Sequence, residues 1–145
     1  TMNIPLKHLF HINAPVDRVF KAITVIDEMK SWYTTEISGK SEINQLINFK
    51  FGTIDFIVKV TELEVNKKIG WECVETTLPF VGHIYTFELD ENDGKTRIRL
   101  TEDGFEEQDD MYANMNFSWG KYLESLRQFC QIGSSEAFGS PGYRS

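Results

Sequence analysis

The chain has 145 residues, which is enough for one domain with a sizeable apolar core. Apolar residues make up 41% and charged residues 26%, a balance typical of a globular protein rather than a disordered one. The formal net charge of −7 argues against nucleic acid and anionic membrane surfaces as partners, because both require a basic face.

The sequence also bears on location. No apolar run approaches the roughly 20 residues of a membrane-spanning helix, and the first residues lack the pattern of a signal peptide. Thr1 ahead of Met2 is interpreted as a remnant of cloning. Cys73 and Cys130 have apolar neighbours, so we expect buried thiols in a reducing environment rather than a disulfide. These observations favour a cytoplasmic protein without membrane insertion.

The first part of the chain predicts one strand followed by two short helices. Apolar and polar residues alternate over residues 6–12, the period of a strand. Asn13 is expected to cap a helix that Pro15 opens. Residues 25–33 then predict a second short helix or turn, and a turn-rich stretch containing Gly39 follows.

The middle of the chain predicts a series of β-hairpins. Apolar residues alternate with polar ones in five further segments, and DENDG at residues 90–94 predicts a hairpin turn. This alternation indicates an antiparallel sheet with one face exposed to solvent. The residues predicted to face inward include Ile47, Ile54, Val58, Val60, Ile69, Leu89, Ile98 and Leu100.

The last predicted element is a long helix over residues 110–131. Its apolar side chains recur at spacings of three and four, which places them on one stripe. Asp109 or Asp110 is the expected N-cap, and Gly133 the expected end. Gly120, in mid-helix, is expected to allow close packing against a strand or ligand. The stripe consists of Met115, Trp119, Tyr122, Leu123, Leu126 and Cys130.

The order of elements predicts an α+β domain over residues 1–133. A curved antiparallel sheet would be wrapped around the long C-terminal helix, with two short helices after the first strand. Residues 134–145 form a Gly/Ser-rich tail that is expected to be mobile, although its Phe138 and Tyr143 could dock on the domain.

Several motifs in the sequence resemble those of the START-like superfamily, also called SRPBCC, which has the helix-grip fold of the birch-pollen allergen. INAPVDRVFKAIT at residues 12–24, followed by Trp32, is similar to its opening motif. KIGWE, the stretch from His83 to Phe105 and the final helix resemble the branch named after activators of the heat-shock-protein-90 ATPase. The glycine-rich word usual before the third strand of that branch is replaced here by SEINQLINFKFG. The resemblance implies the helix-grip fold.

The histidines do not predict a metal site. His8 and His11 lie three residues apart on a strand and therefore point to opposite faces, and His83 is distant in the sequence. Catalytic zinc normally takes three protein ligands, so no metal and no cofactor are predicted. The chain also lacks a nucleophile elbow, a phosphate-binding glycine loop and a dinucleotide fingerprint. No catalytic residue is predicted, which favours a protein that is not an enzyme.

Polar groups at the strand ends have two interpretations. Strand parity allows Glu75, His83 and Glu102 to face the interior, with the Tyr85 hydroxyl beside them. Either these ends lie at a solvent-open rim, or the groups orient a bound molecule. Cys73 shares the inward face, where burial would raise its pKa and make the thiol inert.

The leading functional prediction is binding of a small hydrophobic or amphipathic molecule between the sheet and the C-terminal helix, without covalent chemistry. The abundance of large aromatic side chains indicates a small cavity. The residues expected to line it are Trp32, Phe49, Phe51, Phe56, Trp71, His83, Tyr85, Phe87, Met115, Trp119 and Leu123.

Two alternatives remain open. The resemblance implies a chaperone-associated interaction module, with an exposed complementary patch and heat-shock protein 90 as partner. The other alternative is a cyclase or hydratase type of enzyme that uses His83 as an acid–base group. A monomer or a weak homodimer is expected in either case.

Overall fold

The computed structural model describes residues 3–145; Thr1 and Met2, and with them the interpretation of Thr1, lie outside this range. The chain begins with strand β1 (Leu6–Ile12), helix α1 (Val16–Thr24) and helix α2 (Ile26–Trp32), and helix α3 (Asp110–Ile132) comes last. Between the helices are β2 (Glu36–Gly39), β3 (Leu46–Phe51), β4 (Ile54–Glu64), β5 (Lys68–Thr76), β6 (Ile84–Asn92) and β7 (Lys95–Asp103).

The strands form one curved antiparallel sheet in the order β1-β7-β6-β5-β4-β3-β2. Strands β2 to β7 are consecutive neighbours, and β1 pairs with the outer edge of β7. Helices α1 and α2 therefore carry the chain from one edge of the sheet to the other. Register shifts after Ile57 and after Val60 interrupt the β4–β5 ladder, and such bulges bend a strand. The predicted helix-grip fold is confirmed.

The hairpin between β6 and β7 shows how turn residues fix the register. Asp93 and Gly94 both have positive φ, 57° and 79°, as a two-residue type I′ turn requires. The predicted turn over residues 90–94 is therefore present, but the strands extend further into it, to Asn92 and Lys95.

Helix α3 has the predicted ends. The Asp109 side chain accepts a hydrogen bond of 2.9 Å from the backbone N–H of Tyr112, and Gly133 ends the helix with a φ of 71°. Trp119, Leu123 and Leu126 are buried against the sheet side, and the other residues of the predicted stripe pack partly against the core. The stripe is therefore the face of the helix that packs against the sheet.

Three local predictions are wrong. Asn13 does not cap α1, because Pro15 occupies the N-cap position and the backbone N–H of Asn13 donates to the Gln131 side chain. A methyl group on Gly120 would meet no atom within 4 Å, so this glycine does not serve close packing. The turn-rich segment before β3 contains a further strand, β2, since Ile37 of β2 pairs with Phe49 of β3.

The C-terminal tail lies against the domain rather than apart from it. Backbone hydrogen bonds join Phe138 to Tyr33 and Thr35, and Glu136 to Ser31, so the tail runs along the α2–β2 connection. Tyr143 stacks on Tyr122 of α3. These contacts contradict the expectation of a mobile tail, because its few apolar side chains find partners on the folded domain.

Candidate functional site

A cavity of about 320 Å³ lies between α3 and one end of the sheet. Its walls come from β3, β4, β6, β7, α3, the α2–β2 connection, the β5–β6 loop and the tail. The lining residues are Tyr33, Phe51, Ile54, Phe56, Leu78, Phe80, Tyr85, Glu102, Met115, Ser118, Trp119, Tyr122 and Phe138.

Five of the residues predicted from sequence are among them. Phe51 and Phe56 come from β3 and β4, Tyr85 from β6, and Met115 and Trp119 from α3. Strand alternation and the helical stripe place these side chains on the faces that meet. Their rings touch one another, with centroids 5.4 Å apart for Phe56 and Tyr85 and 6.2 Å apart for Tyr85 and Trp119.

The other six residues that the sequence predicted lie outside this cavity. Phe49, Trp71 and Phe87 are fully buried and fill the middle of the interface between the sheet and α3. The centroid of the Trp71 ring lies 5.1 Å from that of Phe49 and 5.3 Å from that of Phe87. Leu123 is also buried, one turn further along α3 than Trp119. The centre of the interface is therefore ordinary core, and the cavity lies at one end of it.

Trp32 and His83 are absent from the lining for different reasons. The Trp32 indole N–H donates a 2.7 Å hydrogen bond to the Ala22 carbonyl, which ties α2 to α1. The His83 ring is enclosed by Phe80 and Phe105, with centroids at 5.3 and 4.8 Å. Both side chains therefore lie behind residues that line the cavity, Trp32 against Tyr33 and His83 against Phe80.

Sequence reasoning missed most of the lining residues outside the regular strands. Leu78 and Phe80 come from the β5–β6 loop and Phe138 from the tail, where no periodicity indicates which side chain turns inward. Tyr122 belongs to the predicted helical stripe, which was the available signal. Glu102 was recognised as an inward polar group by strand parity.

The main polar group of the cavity is the carboxylate of Glu102. This residue is only 1% exposed to solvent. Its Oε1 accepts a hydrogen bond of 2.9 Å from the indole N–H of Trp119, and its Oε2 lies 2.8 Å from Nδ1 of His83. A buried carboxylate is costly without such partners. These two bonds therefore make the burial of Glu102 tolerable and fix its position in the wall.

Gly104 lets the His83 ring pack against the backbone behind Glu102. Its φ is 137°, a conformation that favours glycine, and a Cβ there would overlap the His83 ring. The ring therefore lies directly on the backbone of the chain that leaves β7. His83 acts as a support for Glu102, and Glu102 is the ionisable carboxylate that reaches the cavity.

Tyrosine hydroxyls provide the remaining polar groups of the wall, together with Ser118. Burial, followed by the charges of Tyr122 and Glu102, raises the pKa of Tyr33 well above its ordinary value. Burial and then the Glu102 carboxylate raise the pKa of Tyr85 in the same direction. Both hydroxyls therefore remain protonated at neutral pH and can donate or accept hydrogen bonds.

The other candidate groups do not form a site. Glu75 is exposed, which agrees with the interpretation of its strand end as a solvent-open rim. Burial raises the pKa of the Cys73 thiol to about 11 and that of Cys130 to about 12, and both cysteines are free. Within residues 3–145, His, Cys, Asp and Glu side chains nowhere gather in a group of three that could hold a metal ion.

The fold and the cavity define a helix-grip domain of the START-like, or SRPBCC, class. The chain belongs to the family described as "Activator of Hsp90 ATPase homolog 1-like protein", whose model matches residues 13–131. The predicted branch of the superfamily is thereby confirmed. Among curated proteins, none matches the sequence.

Solved structures support the same assignment. The Aha1 dimer from Colwellia psychrerythraea is 29% identical, with a TM-score of 0.83 over 90% of this chain and 98% of that one. SSP2350 from Staphylococcus saprophyticus is 18% identical, with a TM-score of 0.77 over 91% of this chain and 95% of the other. BH1534 from Bacillus halodurans is 21% identical, with a TM-score of 0.72 over 90% of this chain and 100% of the other. The last two show the fold alone.

Within residues 3–145, no helix is both long enough and apolar enough to cross a membrane.

Proposed function

We propose that the protein binds a small apolar or amphipathic molecule between the sheet and α3, without covalent chemistry. The observation that carries this proposal is the cavity of about 320 Å³ that remains open beside an otherwise filled core. Eight of its thirteen lining residues are aromatic, and one buried carboxylate and several hydroxyls are placed among them. An apolar pocket with a few fixed polar groups is the usual form of a small-molecule site.

The size of the cavity limits the ligand. Ligand sites typically enclose roughly 300–1,000 Å³, so this one is at the lower end. A molecule of one or two fused rings, or a short alkyl chain with a polar end, fits this volume better than a long-chain lipid. Neutral probes of that size are therefore the appropriate test.

The test uses N-phenyl-1-naphthylamine, a neutral apolar fluorophore. We expect one molecule to bind per chain, with enhanced probe emission and quenching of Trp119, whose indole lines the cavity. The absence of saturable binding by this probe and by a panel of neutral aromatic molecules would contradict the proposal.

A matched pair of variants locates the bound probe. Ser118→Phe adds a ring at a cavity-lining position of α3, whereas Asn116→Phe adds the same ring at an exposed position of the same helix. We expect Ser118→Phe to weaken binding by about tenfold or more, equivalent to about 1.4 kcal/mol, and Asn116→Phe to leave it unchanged. Equal affinities of the two variants would place the probe elsewhere.

A second candidate function is supported by the family. The family description names activators of the heat-shock-protein-90 ATPase, and the relative from Colwellia psychrerythraea is an Aha1 dimer. On this proposal the chain binds the chaperone through its surface and raises its ATPase rate, as a monomer or a weak homodimer. Light scattering over a concentration series, together with an ATPase assay with and without the protein, tests both parts. The scattering decides between monomer and homodimer, and an unchanged ATPase rate would exclude this candidate.

We also propose that the protein works in the cytoplasm. Two free cysteines, Cys73 and Cys130, are compatible with a reducing compartment, where disulfides rarely form. Fractionation of cells with an antibody to the protein tests this location, and recovery in an extracytoplasmic fraction would contradict it.

A further inference from the structure

We infer that the cavity selects molecules that offer a positive charge or a hydrogen-bond donor, such as an amine on an aromatic or alkyl body, and discriminates against carboxylates. The inference rests on the binding function proposed above, because it concerns the chemistry of the same cavity. It narrows the ligand from an apolar or amphipathic molecule to one whose polar end is a cation or a donor.

The wall of the cavity carries one acidic side chain and no basic one. Glu102 is the one carboxylic acid among the thirteen lining residues, and none of the thirteen is a lysine, arginine or histidine. A ligand carboxylate in this cavity would find no cation within the wall and would face a like charge. Burying an unpaired anion is unfavourable even without that repulsion. The wall therefore disfavours fatty acids and aromatic acids.

Glu102 can accept more hydrogen bonds than the protein supplies to it. A carboxylate has about four lone-pair sites on its two oxygens. Trp119 supplies one donor to Oε1, and His83 faces Oε2 from behind the wall. Even when the Tyr85 hydroxyl, whose pKa is raised by burial and in part by a hydrogen bond to Glu102, supplies a third donor, one lone-pair site remains for a ligand in the cavity. An ammonium, amide or hydroxyl group of a ligand meets this requirement.

The aromatic rings beside Glu102 act in the same direction. Aromatic faces carry partial negative charge and attract cations that lie within about 6 Å of the ring centroid. The Trp119 indole bonds to Glu102, and the Tyr85 ring lies 6.2 Å from Trp119 and 5.4 Å from Phe56, measured between centroids. These rings continue into the wall that contains Glu102. A cation is thus favoured by both the carboxylate and its surroundings.

The experiment compares three ligands that share one apolar body. They are 1-naphthylmethylammonium, 1-naphthylmethanol and 1-naphthoate, measured by titration calorimetry at neutral pH with the full chain. We expect the ammonium to bind at least about tenfold more tightly than the carboxylate, with the alcohol between them. The common naphthalene ring keeps the apolar contribution the same in all three.

Two variants assign the discrimination to one residue. Glu102→Gln removes the charge but keeps a similar shape and an acceptor oxygen, so the ammonium-to-carboxylate affinity ratio should fall several-fold, to the part that anion burial and the aromatic rings contribute. Glu107→Gln makes the same change of net charge at an exposed position outside the cavity and should preserve the ratio. Near-UV circular dichroism checks that both variants keep the native packing. If Glu102→Gln does not fold, the affinity ratio of the native protein decides the inference.

The outcomes separate this inference from the proposed function. Binding of the alcohol together with equal or tighter binding of the carboxylate would overturn the inference and leave the binding function intact. A ratio undiminished in folded Glu102→Gln would also overturn it, because the Glu102 charge would then make no contribution. Failure of all three ligands, including the neutral alcohol, would contradict the binding function itself.

Discussion

The indole N–H of Trp119 donates a hydrogen bond of 2.9 Å to Oε1 of Glu102, and so joins α3 to β7. Both residues are buried, at 5% and 1% exposure, and both line the cavity. A contact between the final helix and the sheet is therefore also part of the proposed binding wall. We expect substitutions here to change both stability and probe binding, which makes the contact an informative place for mutation.

We predict a strong energetic coupling between these two residues. In a double-mutant cycle, Trp119→Phe and Glu102→Leu should couple by about 1.5–3 kcal/mol in the free energy of unfolding, the usual value for a hydrogen bond to a charged group. Urea denaturation of the native protein, the two single variants and the double variant measures this coupling energy. The cycle cancels the loss of ring volume, which each single variant would include.

A second tryptophan provides the control for that cycle. Trp71 is buried two strands away from Glu102, and its Nε1 is among the described buried polar atoms without a hydrogen-bond partner. Trp71→Phe combined with Glu102→Leu should therefore be additive within about 0.5 kcal/mol. Equal coupling in the two cycles would mean that the Trp119 bond is not the cause.

Gly104 should be more sensitive to substitution than another glycine of positive φ. Gly104→Ala combines backbone strain with an overlap between the new Cβ and the His83 ring, which Phe80 and Phe105 hold in place. We expect a loss of about 2–5 kcal/mol in the free energy of unfolding, measured by urea denaturation.

The matched control is Gly94→Ala in the β6–β7 turn. Gly94 has a φ of 79°, and no atom lies within 4 Å of a Cβ placed on it, so only backbone strain remains. We expect a loss of about 1–2 kcal/mol. Similar losses for the two variants would show that the His83 ring moves freely and does not brace Glu102.

Stability should fall as the pH rises above about 10, the ordinary pKa of tyrosine. Burial raises the pKa of Tyr33 and of Tyr85, so in the unfolded chain these hydroxyls lose their protons at a lower pH than in the folded chain. Below that pH their contribution to stability is complete, and it is lost progressively above it. Tyr33→Phe should therefore make the decline shallower by up to roughly 1.4 kcal/mol per pH unit.

Urea denaturation at a series of alkaline pH values measures the slope. Tyr85→Phe should reduce the slope in the same way, because its hydroxyl is also buried beside Glu102. A slope unchanged in both variants would indicate that neither hydroxyl remains protonated in the folded protein above its ordinary pKa.

Much of the fold could be predicted because local patterns determine it. Period-two alternation identified β1 and the strands from β3 to β7, the three-and-four spacing identified α3, and Asp109 and Gly133 marked its ends. Strand β2 was missed because four residues ending in Gly39 are too few for a period to show. Its position depends on pairing with β3, which is a non-local property.

The cavity could be predicted only in part, because alternation gives the face of a side chain and not its place along the strand. Phe49 and Phe51 share a face of β3, yet Phe49 fills the core and Phe51 lines the cavity. What separates them is the neighbouring ring at each level, Trp71 beside Phe49 and Phe138 beside Phe51. Such neighbours are contributed by distant segments, so one-dimensional periodicity does not reveal them.

The tail provides the last prediction, since Phe138 closes part of the cavity wall. Its ring lies 5.6 Å from Phe51 and 5.2 Å from Tyr143, measured between centroids. Phe138→Ala should lower the free energy of unfolding by about 1–3 kcal/mol through lost apolar burial. It should also weaken the binding of N-phenyl-1-naphthylamine and speed its dissociation, because one aromatic side of the cavity is removed.

Phe117→Ala is the matched control, because Phe117 lies on α3 but is 69% exposed and outside the cavity. It should change stability by no more than about 0.5 kcal/mol and leave probe binding unchanged. Stopped-flow dissociation and urea denaturation of both variants make the comparison. If Phe138→Ala behaves like Phe117→Ala in both measurements, the tail is not part of the binding wall in solution, and the cavity is bounded by the sheet, the β5–β6 loop and the helices alone.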